Sequence, residues 1–219
     1  MDVFLRSKKI SLLMLLALVL AVCSCSNNVP QVRDARLSII FDYETMDSLP
    51  SARLGVFVES VSNPHRFGLI KVQAQDCDYS WETGDFVMAQ NNEQKFCGAV
   101  NLVMPQNQKF ATGDYNVQFV QDDEEKIEVK LTLDYNTSFY DFKAQEAVDF
   151  MNKNMGSRLL KIYDENKKVI YYGPRTPELN DARRIWNLYR EAAEFQETWI
   201  SSSGNVICNL PVEKVTPGN

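Results

Sequence analysis

From residue 35 onward the apolar residues fall at every second position, in short runs of β-branched and aromatic side chains bounded by turn formers. A period of two in such residues predicts strands. The runs cover residues 36–43, 53–59, 67–74, 86–89, 96–104, 115–120 and 126–135. Between them lie Ser48-Leu49-Pro50, Asn63-Pro64, Thr83-Gly84, Asn91-Asn92 and Thr112-Gly113. Proline fixes φ, while glycine and asparagine tolerate the positive φ that tight turns ask for. Seven short strands at this spacing predict a β-sandwich over residues 35–136.

After residue 135 the period becomes helical. Ser138 is placed to cap a helix, with Asp141 in its first turn, favourable to the dipole. Tyr140, Ala144, Ala147, Val148, Met151 and Met155 share one face, and Gly156 can end it. Phe139, Phe142 and Phe150 lie off that face and predict a second buried surface, an exposed partner-binding stripe being the rival reading. Residues 158–172 read as a hairpin turning at 164–167. Thr176-Pro177 then starts a second helix, whose apolar face runs through Ala182, Ile185, Trp186, Tyr189, Ala192, Ala193, Trp199 and Ile200. Trp186, at its centre, is expected to anchor the packing. Residues 206–210 suit a last strand, and 211–219 a frayed tail. The predicted fold is therefore mainly β, a seven-stranded sandwich followed by an α+β module of helix, β-hairpin and helix over 137–210.

The first residues follow another logic. Arg6, Lys8 and Lys9 precede an unbroken apolar run from Ile10 to Val22, and Cys23-Ser24-Cys25 follows. That run is well short of the ~20 residues a helix needs to span a bilayer. It reads as an export signal over residues 1–24. Its ending resembles the lipobox of bacterial lipoproteins, with an aliphatic residue at −3 and a small one at −1 before the acylated cysteine. Cys25 fits that pattern with Val22 and Ser24, and Cys23 is the alternative, with bulky Val22 at −1. The rival reading is an ordinary secretory signal or an uncleaved anchor that happens to contain cysteines. Residues 25–34 read as a polar tether, of which a nine-residue stretch reaches about 30 Å when extended. The resemblance implies a lipid-anchored place in the cell envelope. Ser26-Asn27-Asn28 lacks the aspartate that often retains lipoproteins in the inner membrane, which favours the outer membrane.

Within the strands, Gly113-Asp114-Tyr115-Asn116-Val117-Gln118-Phe119 resembles the start of the penultimate strand of immunoglobulin-like and fibronectin-like domains. The resemblance implies a sandwich in which Tyr115 makes a corner hydrogen bond and alternate apolar residues point inward. Two departures stand beside it. Trp81 follows the third run instead of lying on it, and the family's cysteine pair is missing at its usual spacing. Such sandwiches host many unrelated activities, so the likeness implies fold and not function.

Charge and titratable residues narrow the chemistry. The net charge of −6 makes phosphate backbones poor partners, so nucleic-acid binding is not expected. Cys77, Cys97 and Cys208 remain beside the lipidated cysteine. A Cys77–Cys97 disulfide would close a loop worth roughly 3 kcal/mol, and buried reduced thiols are the equal alternative. His65 is the only histidine, and the spacing of His65, Cys77, Cys97 and Cys208 lacks the close ligand pairs of structural zinc. Asp122-Asp123-Glu124-Glu125 lacks the spaced ligands and central glycine of an EF-hand and reads as a solvated turn. The remaining cluster is Asp76, Asp78, Glu82 and Asp85 with Tyr79 and Trp81. Two of its carboxylates could serve a glycosidase, although nothing fixes their separation. Sugar or peptide binding by Tyr79, Trp81, Asp76, Asp78 and Glu82 is the simpler expectation. Walker motifs and nucleophile elbows are absent. The sequence thus points to a non-catalytic binding or assembly component of the envelope, with no cofactor and no metal. Its expected partners are the membrane, through the lipid, and an envelope protein or glycan. A small hydrolase using carboxylates near residues 76–85 and a structural spacer are the alternatives.

Overall fold

A computed structural model describes residues 32–60, 67–75, 77, 79–91, 94–105, 108–121 and 126–215. Their strands are β1 (Val32–Asp42), β2 (Ser51–Ser60), β3 (Phe67–Ala74), β4 (Ser80–Thr83), β5 (Val87–Asn91), β6 (Gln94–Leu102), β7 (Gly113–Gln121), β8 (Lys126–Leu133), β9 (Ser157–Tyr163), β10 (Val169–Pro174), β11 (Glu194–Ile200) and β12 (Val206–Lys214). Two α-helices join them, α1 (Ala144–Lys153) and α2 (Ala182–Leu188). The chain is mainly β, with a large curled sheet and a second, smaller one.

The smaller sheet has the order β4-β3-β7-β8 and the larger the order β10-β9-β11-β12-β1-β2-β6-β5. Alternation explains their contact. Leu37, Ile39 and Phe41 of β1, Leu54, Val56 and Val58 of β2, and Val117 and Phe119 of β7 are buried in one cluster between the sheets. Each such side chain contributes about 1.5–3 kcal/mol on leaving water. β7 opens on Gly113, whose φ of +119° suits glycine alone. Two residues on, the Tyr115 hydroxyl donates to the Ala111 carbonyl at 2.7 Å, the corner bond that the resemblance implied.

The larger sheet is antiparallel except where β12 lies parallel to β1, from Ile39↔Val206 to Asp42↔Asn209. Strands from both sides of residue 136 therefore share one sheet. The main core likewise takes Trp199, Val206, Cys208 and Leu210 from the C-terminal part. A second, smaller core gathers Leu160, Ile162, Leu179, Ile185, Ala192, Phe195 and Val215.

Four expectations need correction. The tail expected from residue 211 is strand as far as Lys214, and Val215 is buried in the second core. The region expected to hold seven strands has eight, since Ser80–Thr83 forms β4, too short to show a period; β1 also begins at Val32, inside the expected tether. Ser138 starts only a 3-10 turn, Thr137–Tyr140, in which the Asn136 Oδ1 accepts from the Ser138 N–H at 3.0 Å; α1 begins later, where the Lys143 N–H donates to Glu146 Oε2 at 2.8 Å. The second helix is much shorter than expected. Thr176-Pro177 opens a 3-10 turn, α2 is capped by Asp181 accepting from the Arg184 N–H at 2.9 Å, and it ends at Leu188. Trp199 and Ile200, read as its far end, lie on β11 between β9 and β12. Phe195, Glu197 and Trp199 alternate there with Gln196, Thr198 and Ile200, a strand pattern with two β-branched residues.

Phe139, Phe142 and Phe150 do form the second buried surface. Phe139 is buried and stacks on Phe41, with ring centroids 5.4 Å apart and planes at 19°. Phe150 meets its edge at 5.1 Å, and Phe142 at 5.4 Å. This aromatic cluster seats the 3-10 turn and α1 on the sandwich core.

Candidate functional site

The edge of the smaller sheet is where the sequence placed its binding residues. β4 pairs with β3 from Ile70↔Thr83 to Gln73↔Ser80 and, among the described residues, has no strand on its other side. Alternation turns Trp81 inward and Glu82 outward. The indole N–H of Trp81 donates to the Val103 carbonyl at 2.7 Å, and its ring stacks on Phe110 with centroids 5.5 Å apart. Tyr79 packs against the same ring at 5.0 Å and 74°. Trp81 is thus 7% exposed, an anchor of the edge and not an open stacking platform, whereas Tyr79 stands at the rim, 36% exposed. Glu82 pairs with Lys71 at 2.8 Å across the strand pair. Asp76 and Asp78 lie outside the described residues.

Beside these side chains a cleft of about 600 Å³ runs between the edges of the two sheets. Residues 79–83 form one wall, residues 99–103 of β6 and the turn after it the other, and Asp85, Phe86 and Val87 close the end. Among the described residues Glu82 and Asp85 are the charged ones that line it, and no lysine or arginine does. The N–H of Asp85 donates to Thr83 Oγ1 at 3.0 Å, which holds the connection from β4 to β5 in a tight bend.

No family model, curated protein or solved structure matches the chain.

The cysteines are apart from this cleft in chemistry. Cys77, Cys97 and Cys208 are free thiols, so the bridge weighed between Cys77 and Cys97 is not formed. Cys97 faces the core of the sandwich, and burial pushes its thiol up to about 11. Cys208 is pushed up to about 12 by burial and by the charge of Asp42. Cys23, Cys25, His65 and the acidic run 122–125 lie outside the described residues. Among the described residues no group of three or more His, Cys, Asp or Glu is arranged to hold a metal, and no helix is long and apolar enough to cross a membrane.

Two polar networks escaped the sequence reading. On the inner face of β11, Glu197 sits between the two cores, accepting from Arg158 Nη2 and from Trp199 Nε1, each at 2.7 Å, and from Arg175 Nη1. Burial opposes its ionisation, but hydrogen bonds from Arg158 and Trp199, with the charges of Arg158 and Arg175, prevail and hold its carboxyl below the usual range. On the opposite face Asn209 links three strands. Its Nδ2 donates to Asp42 Oδ1 at 2.7 Å, and its Oδ1 accepts from Lys161 Nζ and Thr198 Oγ1, each at 2.9 Å. Arg53 completes that network with a fork onto Asp42, at 2.6 and 3.3 Å. Burial pushes Lys161 down, with the charge of Arg53 acting the same way and that of Asp42 opposing both. The available signal was Asn209 inside the apolar run 206–210, and Glu197 between Phe195 and Trp199 on the inward side of its strand, each costly to bury unless satisfied. Both networks staple the C-terminal strands to each other or to β1; they do not line the cleft.

Proposed function

We propose that this protein is a membrane-anchored lipoprotein of the cell envelope whose sandwich, immunoglobulin-like in topology, acts as a non-catalytic binding or assembly component. Three features support the parts of this reading. The basic, apolar and Cys23-Ser24-Cys25 segments support export and acylation at Cys25. The facing strand orders β1-β2-β6-β5 and β4-β3-β7-β8 correspond to A-B-E-D against C′-C-F-G, with the Tyr115 corner bond at the start of the F strand. The observation that carries the binding role is the cleft at the open edge of the sandwich. Tyr79, Val87 and Val103 line it and are 36%, 41% and 55% exposed, an apolar rim beside the Glu82 and Asp85 carboxylates. Exposed apolar groups gathered at a concavity mark binding surfaces.

The test uses the full chain expressed with its signal. Fatty-acid labelling should be lost in Cys25→Ser and kept in Cys23→Ser. A photo-crosslinking side chain at position 79 should then yield a specific adduct in intact cells. Label surviving in Cys25→Ser would refute the anchor assignment. Adducts equally abundant from the cleft and from a control site such as Leu188, on α2, would refute the binding role and favour a spacer.

A further inference from the structure

The cleft has one property that ordinary pockets lack, because one of its walls is the unfinished edge of a sheet. β5 pairs with β6 from Asn91↔Gln94 to Val87↔Gly98 and stops there. β6 runs on to Leu102, with β2 on its far side through Val56↔Ala99 and Leu54↔Leu102. Among the described residues no strand continues the ladder along residues 99–102 on the β5 side. A strand edge presents main-chain N–H and C=O groups that template a further strand. The cleft lies along those residues.

Resting on the reading of a binding component, we propose that the cleft receives an extended cationic peptide strand of a partner protein, which continues the line of β5 along residues 99–102 of β6. A strand laid there sits about 4.8 Å from β6, and four residues of it span about 13 Å. The main-chain ladder supplies affinity, and alternate side chains supply selectivity. On one side they meet the apolar rim of Tyr79, Val87 and Val103. The charge of the occupant follows from the lining. Glu82 already holds Lys71 at 2.8 Å, while Asp85 is exposed and makes no ion pair among the described residues. Asp85 is therefore the group that a lysine or arginine of the incoming strand meets. A sugar ring is the poorer fit, because Trp81, stacked on Phe110, is buried and offers little of its indole for stacking.

The experiment uses the mature chain and three blocked octapeptides as probes: alternating valine and lysine, alternating valine and glutamate, and the valine–lysine peptide with alternate amides N-methylated. The valine–lysine peptide should bind and slow amide exchange at residues 99–102, and the N-methylated peptide should not bind. The glutamate peptide, and Asp85→Lys with the lysine peptide, should each weaken binding about fivefold, the scale of an exposed charge pair. No slowing at residues 99–102, binding indifferent to N-methylation, or protection of those amides by an envelope oligosaccharide instead would overturn the proposal. A position-79 adduct undiminished in Asp85→Lys, with no exchange protection in β6, would sink the strand and leave the binding component standing. Absence of any position-79 adduct in the chain that keeps Asp85 would sink the component as well.

Discussion

Glu197→Gln isolates the interaction between the two cores. The side chain of Glu197 is 8% exposed, that of Arg175 12% and that of Arg158 46%. The half-exposed Arg158 contributes as a surface pair does, up to about 1 kcal/mol. The Arg175 pair is buried, and removing one charge from such a pair costs about 3–5 kcal/mol because the other stays behind uncompensated. Glutamine keeps the volume and an oxygen for the Trp199 indole, so the loss is chiefly electrostatic, and about 3–4 kcal/mol is expected against a total of roughly 5–15. Urea unfolding at neutral pH measures it. The pH dependence supplies a second arm. The folded carboxyl lies below its unfolded value of about 4.3, so its stabilisation is present above that value and is lost as pH falls through the folded pKa. The gap between wild type and Glu197→Gln should therefore close at acid pH. A gap under 1 kcal/mol at neutral pH, or one unchanged down to pH 2, would refute the account of this residue.

Tyr115→Phe removes the corner bond to Ala111 and should cost about 1–1.5 kcal/mol in the same assay, with the slope of the transition unchanged. Ile185→Ala should cost about 2–5 kcal/mol, because Ile185 is fully buried in the second core; half-buried Trp186, with Arg190 over its ring, should cost less on truncation to alanine, and the reverse order would return Trp186 to the role of anchor. Cys97 and Cys208 should resist alkylation at pH 8 until the chain unfolds, whereas half-buried Cys77 should be modified in the native protein, as mass spectrometry of the labelled peptides would read.

The sandwich was legible because one face of each strand is buried and the other wet, which writes a period of two into runs such as Leu37, Ile39 and Phe41. Tyr115 was legible for a different reason, the short motif around its corner. β4 was not, since Ser-Trp-Glu-Thr is too short to display any period, and Trp81 therefore fell after the third run and on no strand. The overlong second helix shows how a helical period can be counterfeited. Ala182, Ile185, Trp186 and Tyr189 set up a spacing that Ala192 and Ala193 continue by coincidence, although the chain leaves the helix at Leu188. The candidate cleft was half legible. Tyr79, Trp81, Glu82 and Asp85 come from one stretch of sequence, but the wall opposite belongs to β6 and is set by where β5 stops pairing, a matter of register that local pattern does not encode. Glu197 and Asn209 were hidden because their partners stand on strands far apart in the chain, Arg158 and Arg175 for one, Asp42 and Lys161 for the other.

The parallel pairing of β1 with β12 makes the order of synthesis matter. β1 is the first strand described to leave the ribosome and β12 the last, so one edge of β1 waits for nearly the whole chain before Val206 to Asn209 reach it. Contacts so remote in sequence form slowly. During that interval Ile39, Ile40 and Phe41 sit on an apolar strand with a vacant side, the kind of template that recruits other chains. A nascent copy stalled before residue 206 is therefore an incomplete and adhesive sheet. Productive folding of the larger sheet waits for Val206 to Asn209, and chaperoning in transit has a defined object: the idle flank of the first strand.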